Sequence, residues 1–275
     1  MRVRIAPGIL SHSDSFPENP LPSPIQKFRQ QLQAGRVALG PMVTLSDPSI
    51  TEALAGSVDF LWYDLEHTAI GLESLKAHLI AARAGQVPAL VRVPSGAIAW
   101  IKRALDIGAD GIILPRVYGP GEVREFVSAC RYPPEGTRGF GPHRPADYGR
   151  NMNAAFTVQA NKDVFVVVQI ETLEAVQTLD EILKVPGVDS IVIGPMDLSA
   201  SMGLLGQLDH PRVKETIQSI VKRTRAAGIF AAIGLGTNAA PVAQAMRDGV
   251  HWAMCGSDYN YLIQFADRLY AEIRK

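Results

Sequence analysis

Short apolar runs recur along the chain, and helical periodicity fills most of the gaps between them. Runs with strand character cover residues 37–43, 58–63, 89–93, 111–114, 164–170, 190–193, 228–233 and 252–255. Between them, Ile98, Ile101 and Leu105 mark one helix face, and Val213, Ile217, Ile220 and Val221 mark another. An earlier helix is predicted with Pro24 near its start and Gly35 at its end. Residues 1–23 are rich in Pro and Ser and lack periodicity, so they read as an irregular arm. Residues 24–275 are then expected to form one domain.

Eight strands alternating with helices over about 250 residues match an α/β fold of the (β/α)8 type, the TIM barrel. The rival is an open doubly wound sheet. The barrel is preferred because "GADGIILPR", "GVDSIVIGP" and "GVHWAMCGS" repeat one unit, a helix-ending Gly, an apolar strand, then Gly or Pro. No G-x-G-x-x-G opens the first strand–helix turn, which weakens a dinucleotide-binding reading. About 50 residues separate the fourth and fifth strands, and so long a gap in a compact domain is usually functional. Its surplus carries Arg131, Arg138, His143, Arg144 and Arg150 against Glu135 and Asp147. The expectation is a cationic lid over an anionic substrate, the alternative a solvated surface loop.

Composition narrows the class. Among 275 residues, 27 Lys+Arg balance 27 Asp+Glu, which argues against a nucleic-acid binder. Two cysteines, Cys130 and Cys255, fit a reducing compartment better than a disulfide scaffold. The apolar runs fall far short of the roughly 20 residues of a membrane helix, and residues 1–23 lack the apolar core of a signal peptide. A cytoplasmic protein with no membrane and no nucleic-acid partner is expected.

In such a barrel, catalytic groups sit at the carboxyl ends of strands. The second predicted strand ends in Asp64, Glu66 and His67, the third in Arg92, the fourth in Arg116, the fifth in Gln169 and Glu171, the sixth in Asp197. Charges emerging from buried strands are costly unless paired or bound to metal. Glu171 and Asp197 come from neighbouring strands, and their oxygen ligands suit a hard divalent cation such as Mg²⁺ or Mn²⁺. Alternatively, each pairs with an arginine, Arg92 or Arg116. Asp64 is close enough in sequence to orient His67 for proton transfer. Arg92 suits a substrate oxyanion or carboxylate. Gly194 and Pro195 precede Met196 and Asp197 at a helix start, where free backbone N–H groups favour an anion. No lysine ends a strand, so Schiff-base chemistry is not expected.

The motifs "DLEHT", "VRVP", "CRYPPEGTRGFG", "VQIET" and "GPMDLSASMG", in this order, make the chain from Phe28 onward resemble the HpcH/HpaI aldolases, the metal-dependent pyruvate aldolases. The resemblance implies cleavage or formation of 4-hydroxy-2-oxo acids, giving pyruvate and an aldehyde. It implies that Glu171 and Asp197 bind Mg²⁺ or Mn²⁺, with Co²⁺ also accepted, and that no organic cofactor is needed. Pyruvate would chelate the metal, with its carboxylate held by the N–H groups of Met196 and Asp197 beside Gly194 and Pro195. Arg92 would stabilise the enolate oxygen, His67 oriented by Asp64 would be the acid/base, and Gln169 would line the pyruvate site. Glu66, Arg116 and Arg138 are added as neighbours of the site. A homo-oligomer, hexamer or trimer, is expected. The alternatives are oxaloacetate decarboxylation with macrophomate synthase-like enolate chemistry, and a catalytically silent anion-binding barrel.

Overall fold

The structure, a computed structural model, describes residues 22–275. Its strands are β1 (Ala38–Val43), β2 (Leu61–Asp64), β3 (Ala89–Arg92), β4 (Gly111–Leu114), β5 (Phe165–Ile170), β6 (Ser190–Ile193), β7 (Phe230–Leu235) and β8 (Trp252–Ser257). They pair in chain order, β8 closing onto β1, into a barrel in which each pairing is parallel. The expected (β/α)8 barrel is therefore what the chain forms. β7 begins two residues later than expected, because Gly228 takes a left-handed φ of 75° in the turn that ends the helix Pro211–Ala226.

Side-chain alternation divides the core in two. Along β5, Val166, Val168 and Ile170 face the helices, while Phe165, Val167 and Gln169 point into the barrel. The interior is apolar at its amino-terminal end, where Phe60, Trp62, Leu90, Ile113, Phe165, Val192 and Trp252 meet. The helix Pro24–Gln33 plugs that end. Ser23 caps it through a capping box, and Ile25, Phe28 and Leu32 are its buried positions. The Phe28 ring lies edge-on to Phe60, Phe165 and Trp252 at 5.7, 5.5 and 6.3 Å between centroids. Arg29 ties the plug to the sheet through Asp189 and through the Val164 carbonyl at 2.7 Å. Of the expected irregular arm, residues 1–21 lie outside the described residues.

The long gap between β4 and β5 does not form a lid. The helix Pro120–Cys130 follows β4 and carries the chain back to the amino-terminal end, so the surplus unfolds there, away from the strands' carboxyl ends. Arg138 is buried against Asp106, at the end of the helix Ile98–Asp106, with Nη2 to Oδ1 at 2.8 Å. Its guanidinium lies 4.4 Å from the Tyr132 ring centroid. Arg144 is buried too and donates to the Leu79 carbonyl at 3.0 Å, and Arg131 to that of Gly187 at 2.9 Å. These arginines bind the loop to the barrel's floor. The cationic lid, and Arg138 as a neighbour of the site, are corrected accordingly.

Removing the plug's central ring leaves a cavity among three aromatic walls. Phe28→Ala is expected to lower unfolding free energy by about 3–5 kcal/mol. Chemical denaturation checks this, and a loss within the ~0.5 kcal/mol of a surface change would contradict the plug's role.

Candidate active site

Interior-facing positions continue upward from the apolar floor and turn polar. Asp64 stands two residues beyond Trp62, Arg92 two beyond Leu90, Gln169 two beyond Val167, and Glu171 two further on. All four side chains therefore enter the barrel's mouth from its wall. Asp64 and Arg92 are direct register partners across β2 and β3.

Arg92 is the centre of the arrangement. Its Nε and Nη2 donate to the two oxygens of Asp64 at 2.8 and 2.9 Å, a bidentate fork. Its Nη1 lies 3.2 Å from Oε2 of Glu66. The guanidinium sits 5.4 Å from the Trp62 ring centroid and 3.7 Å from Sδ of Met42, and is only 7% exposed. Met42 and Trp62 thus form a floor under the arginine that motif spacing did not reveal. The signal was available in the alternation of β1 and β2.

Asp64 does not orient His67. Both its oxygens are taken by Arg92, with Glu66 N adding a bond to Oδ1 at 3.0 Å. His67 is instead 3.4 Å, Nε2 to Oε2, from Glu66, and its side chain is 65% exposed. The expected Asp64–His67 pairing is corrected, because the β2–β3 register brings Arg92 beside Asp64 before a local turn can bring His67.

Glu171 is buried. Its Oε1 accepts from the backbone N of Arg116 at 2.7 Å, and its Oε2 from Nε2 of Gln169. Burial raises its carboxyl above the usual range, and Asp197 and Glu66 add to the rise, against those two hydrogen bonds. The Glu66 carboxyl is raised likewise, first by burial, with Arg92 and His67 opposing. Gly194 precedes the helix Pro195–Ser201, and a Cβ on it would come within 2.7 Å of Glu171 Oε2 and 3.0 Å of Gln169 Nε2. The glycine keeps this space open. No side chain caps that helix, so the backbone N–H groups of Met196 and Asp197 remain free donors, beside an exposed Asp197 carboxylate.

These residues suit a hard cation. Among the described residues neither Glu171 nor Asp197 forms an ion pair with an arginine, since Arg92 is committed to Asp64 and Glu66, and Arg116 reaches Glu171 only with its backbone. Glu171 and Asp197 are thus two carboxylates without an arginine partner, and Asp197 adds to the rise of the Glu171 carboxyl. No three His, Cys, Asp or Glu side chains form a ready cage among the described residues, so substrate and water would complete the coordination, a usual arrangement for Mg²⁺. Sequence reasoning also passed over Asp258. It accepts from Thr44 N at 2.9 Å, Thr44 Oγ1 at 2.6 Å and Leu45 N at 3.0 Å, bracing the β1 end of the mouth against β8. The signal was an acidic residue immediately after an apolar strand.

A closed parallel barrel whose inward-facing charges, Asp64, Arg92 and Glu171, gather at the strands' carboxyl ends has the architecture of a (β/α)8 enzyme. The chain belongs to the HpcH/HpaI aldolase/citrate lyase family, whose profile matches residues 42–264. It is 36% identical over 259 residues to the hydroxypyruvate/pyruvate aldolase of Roseovarius nubinhibens, covering 92% of this chain and 99% of that one. An HpcH/HpaI aldolase/citrate lyase family protein from Burkholderia cenocepacia superposes with a TM-score of 0.85 at 29% identity, over 90% of this chain and 99% of the other. Macrophomate synthase superposes with a TM-score of 0.81 at 26% identity, over 91% of this chain and 88% of that one. The protein is thus an aldolase-type carbon–carbon lyase.

If Asp64 acts through Arg92, the two are energetically coupled. A double-mutant cycle with Asp64→Asn and Arg92→Lys, read by denaturation, is expected to show a coupling of about 1 kcal/mol or more. The corresponding cycle of Asp64→Asn with His67→Asn should show a smaller one. Equal couplings would contradict this assignment.

Proposed function

We propose that the protein is a divalent-metal-dependent aldolase that cleaves or forms 4-hydroxy-2-oxo acids, with pyruvate and an aldehyde as the other partners. The observation that carries this is the buried Arg92, held by Asp64 and Glu66, next to two carboxylates that no arginine neutralises. The family relationship supports it, since the Roseovarius relative is a hydroxypyruvate/pyruvate aldolase.

Glu171 and Asp197 would hold Mg²⁺ or Mn²⁺, with Co²⁺ also a candidate, and such a cation supplies a Lewis acid for the 2-oxo group. No organic cofactor enters the proposal. The N–H groups of Met196 and Asp197 receive the substrate carboxylate, in the space that Gly194 and Pro195 leave open. Gln169 lines the same space, with its Oε1 buried and unpartnered among the described residues. Arg92 is preorganised to stabilise negative charge on the substrate's C2 oxygen. Asp64 and Glu66 fix its position, so no reorganisation is needed as charge develops. His67 takes the proton from the C4 hydroxyl during cleavage and returns it during synthesis, with Glu66 as its neighbouring carboxylate.

The proposal includes self-association. The helix Asp258–Ile273 buries only Asp258 and leaves Leu262 (56%), Ile263 (53%), Phe265 (58%) and Ile273 (70%) exposed. An apolar helix face that its own barrel does not cover suits a second copy of the chain. No helix among the described residues is long and apolar enough to cross a membrane. The free thiols of Cys130 and Cys255 fit a cytoplasmic setting.

EDTA is expected to abolish aldol cleavage and Mg²⁺ or Mn²⁺ to restore it, followed as pyruvate release. Activity indifferent to chelation would refute the metal. Arg92→Ala should lower the rate by on the order of 10²–10³ while circular dichroism remains that of a folded barrel. Arg92→Lys, which keeps the charge but loses the fork, should also fall well short of the parent. A folded variant of normal rate would remove Arg92 from its role.

A further inference from the structure

Arg116 is the cation at the mouth to which the aldolase reading gives no task. It follows β4 with a φ of 51°, a left-handed backbone uncommon for a residue other than glycine. That backbone turns its N–H onto Glu171 Oε1 at 2.7 Å and sends the side chain outward, where it is exposed. Its guanidinium receives one fixing contact, Nη2 to the Tyr118 hydroxyl at 3.2 Å. The Tyr118 backbone is held in turn, its N–H donating to Glu122 Oε2 at 3.1 Å and its carbonyl accepting from Thr178 Oγ1 at 3.4 Å. Among the described residues Arg116 makes no ion pair, and its other guanidinium donors have no hydrogen-bond partner, on a residue whose own backbone N–H sits on Glu171 at the mouth. The carboxylates of Glu171 and Asp197 lie within its electrostatic reach.

The charge inventory of the mouth gives this placement its meaning. Asp64, Glu66, Glu171 and Asp197 oppose one buried guanidinium, that of Arg92. Even with a divalent cation in place, negative charge predominates, and a 2-oxo acid adds more. A neutral aldehyde approaches such a mouth without penalty. An aldehyde with its own carboxylate is repelled unless a cation meets it at the rim. A partly fixed, unpaired guanidinium is suited to that task, because its fork matches a carboxylate bidentately.

We propose that Arg116 is a specificity-determining residue that binds the carboxylate of an acidic aldehyde, so that this enzyme's second substrate is a carboxylate-bearing aldehyde rather than a neutral one. The inference rests on the aldolase reading above. In the cleavage direction the same contact selects 4-hydroxy-2-oxo diacids over monoacids.

The test uses a matched pair, 4-oxobutanoate and butanal, each condensed with pyruvate by the full chain in the presence of Mg²⁺. The parent enzyme is expected to favour 4-oxobutanoate in kcat/KM. Arg116→Gln should reduce the acidic-to-neutral ratio roughly 10- to 100-fold, mainly through KM for the aldehyde. Arg116→Lys should retain part of the preference, and added salt should shrink it in the parent because the contact is at the surface. A readout without turnover is calorimetric binding of butanedioate to the metal-free protein, expected to weaken about tenfold in Arg116→Gln. A ratio unmoved by Arg116→Gln, or a parent that prefers butanal, overturns the inference. Exchange of pyruvate methyl protons in deuterated buffer with Mg²⁺ separates the two levels. If the parent shows no exchange, the aldolase reading fails and takes this inference with it. If exchange proceeds and the ratio does not move, only the role of Arg116 fails.

Discussion

A guanidinium placed inside a barrel wall has to be met by carboxylates, and the mouth of this barrel is arranged around that requirement. Leaving one partner of such a buried pair alone costs about 3–5 kcal/mol. Arg92 meets it with the fork to Asp64 and the contact to Glu66, over a floor of Trp62 and Met42. Committed in this way, Arg92 forms no ion pair with Glu171. The carboxylates after β5 and after β6, Glu171 and Asp197, remain without an arginine partner, as a cation-binding site requires. Arginine and metal would not compete for the same oxygens. They divide the carboxylates between them.

The two ends of the barrel solve opposite problems. At the amino-terminal end the interior is closed with aromatic rings, Phe28 wedged among Phe60, Phe165 and Trp252. Arginines from the long β4–β5 connection, Arg138 and Arg144 among them, secure loops there against Asp106 and backbone carbonyls. At the carboxyl end the same inward rows of residues become polar, and the space is kept open by Gly194. One chain thus places arginine in two roles. At the floor the guanidiniums are structural donors to carbonyls and to the carboxylates of Asp106 and Asp189. At the mouth Arg92 is held by two carboxylates, and Arg116 carries no ion pair among the described residues.

Much of this was legible in the residues. The eight apolar runs and the helical spacing between them specify the barrel, because a parallel strand covered on both faces must be apolar along its length. The polar residues that break those runs at their carboxyl ends, Asp64, Arg92, Gln169 and Glu171, mark the mouth. Two expectations failed for a common reason. The cationic loop was assigned to the mouth by its charge, although it follows a helix rather than a strand, and only residues that follow strands reach that end. His67 was paired with Asp64 by closeness in sequence, whereas Arg92, 28 positions away, is the register partner.

The sequence by itself determined the class of fold, the end of the barrel that carries the chemistry and the residue types available there. These follow from periodicity, and periodicity is a local property of the chain. The tertiary structure decided which charge meets which. It paired Asp64 with Arg92, left Glu171 to a backbone amide and sent Arg138 to the floor. Such pairings depend on strand register and on the direction of each return helix. Coulomb energy falls with distance in space, and separation along the chain does not report that distance once a sheet has closed.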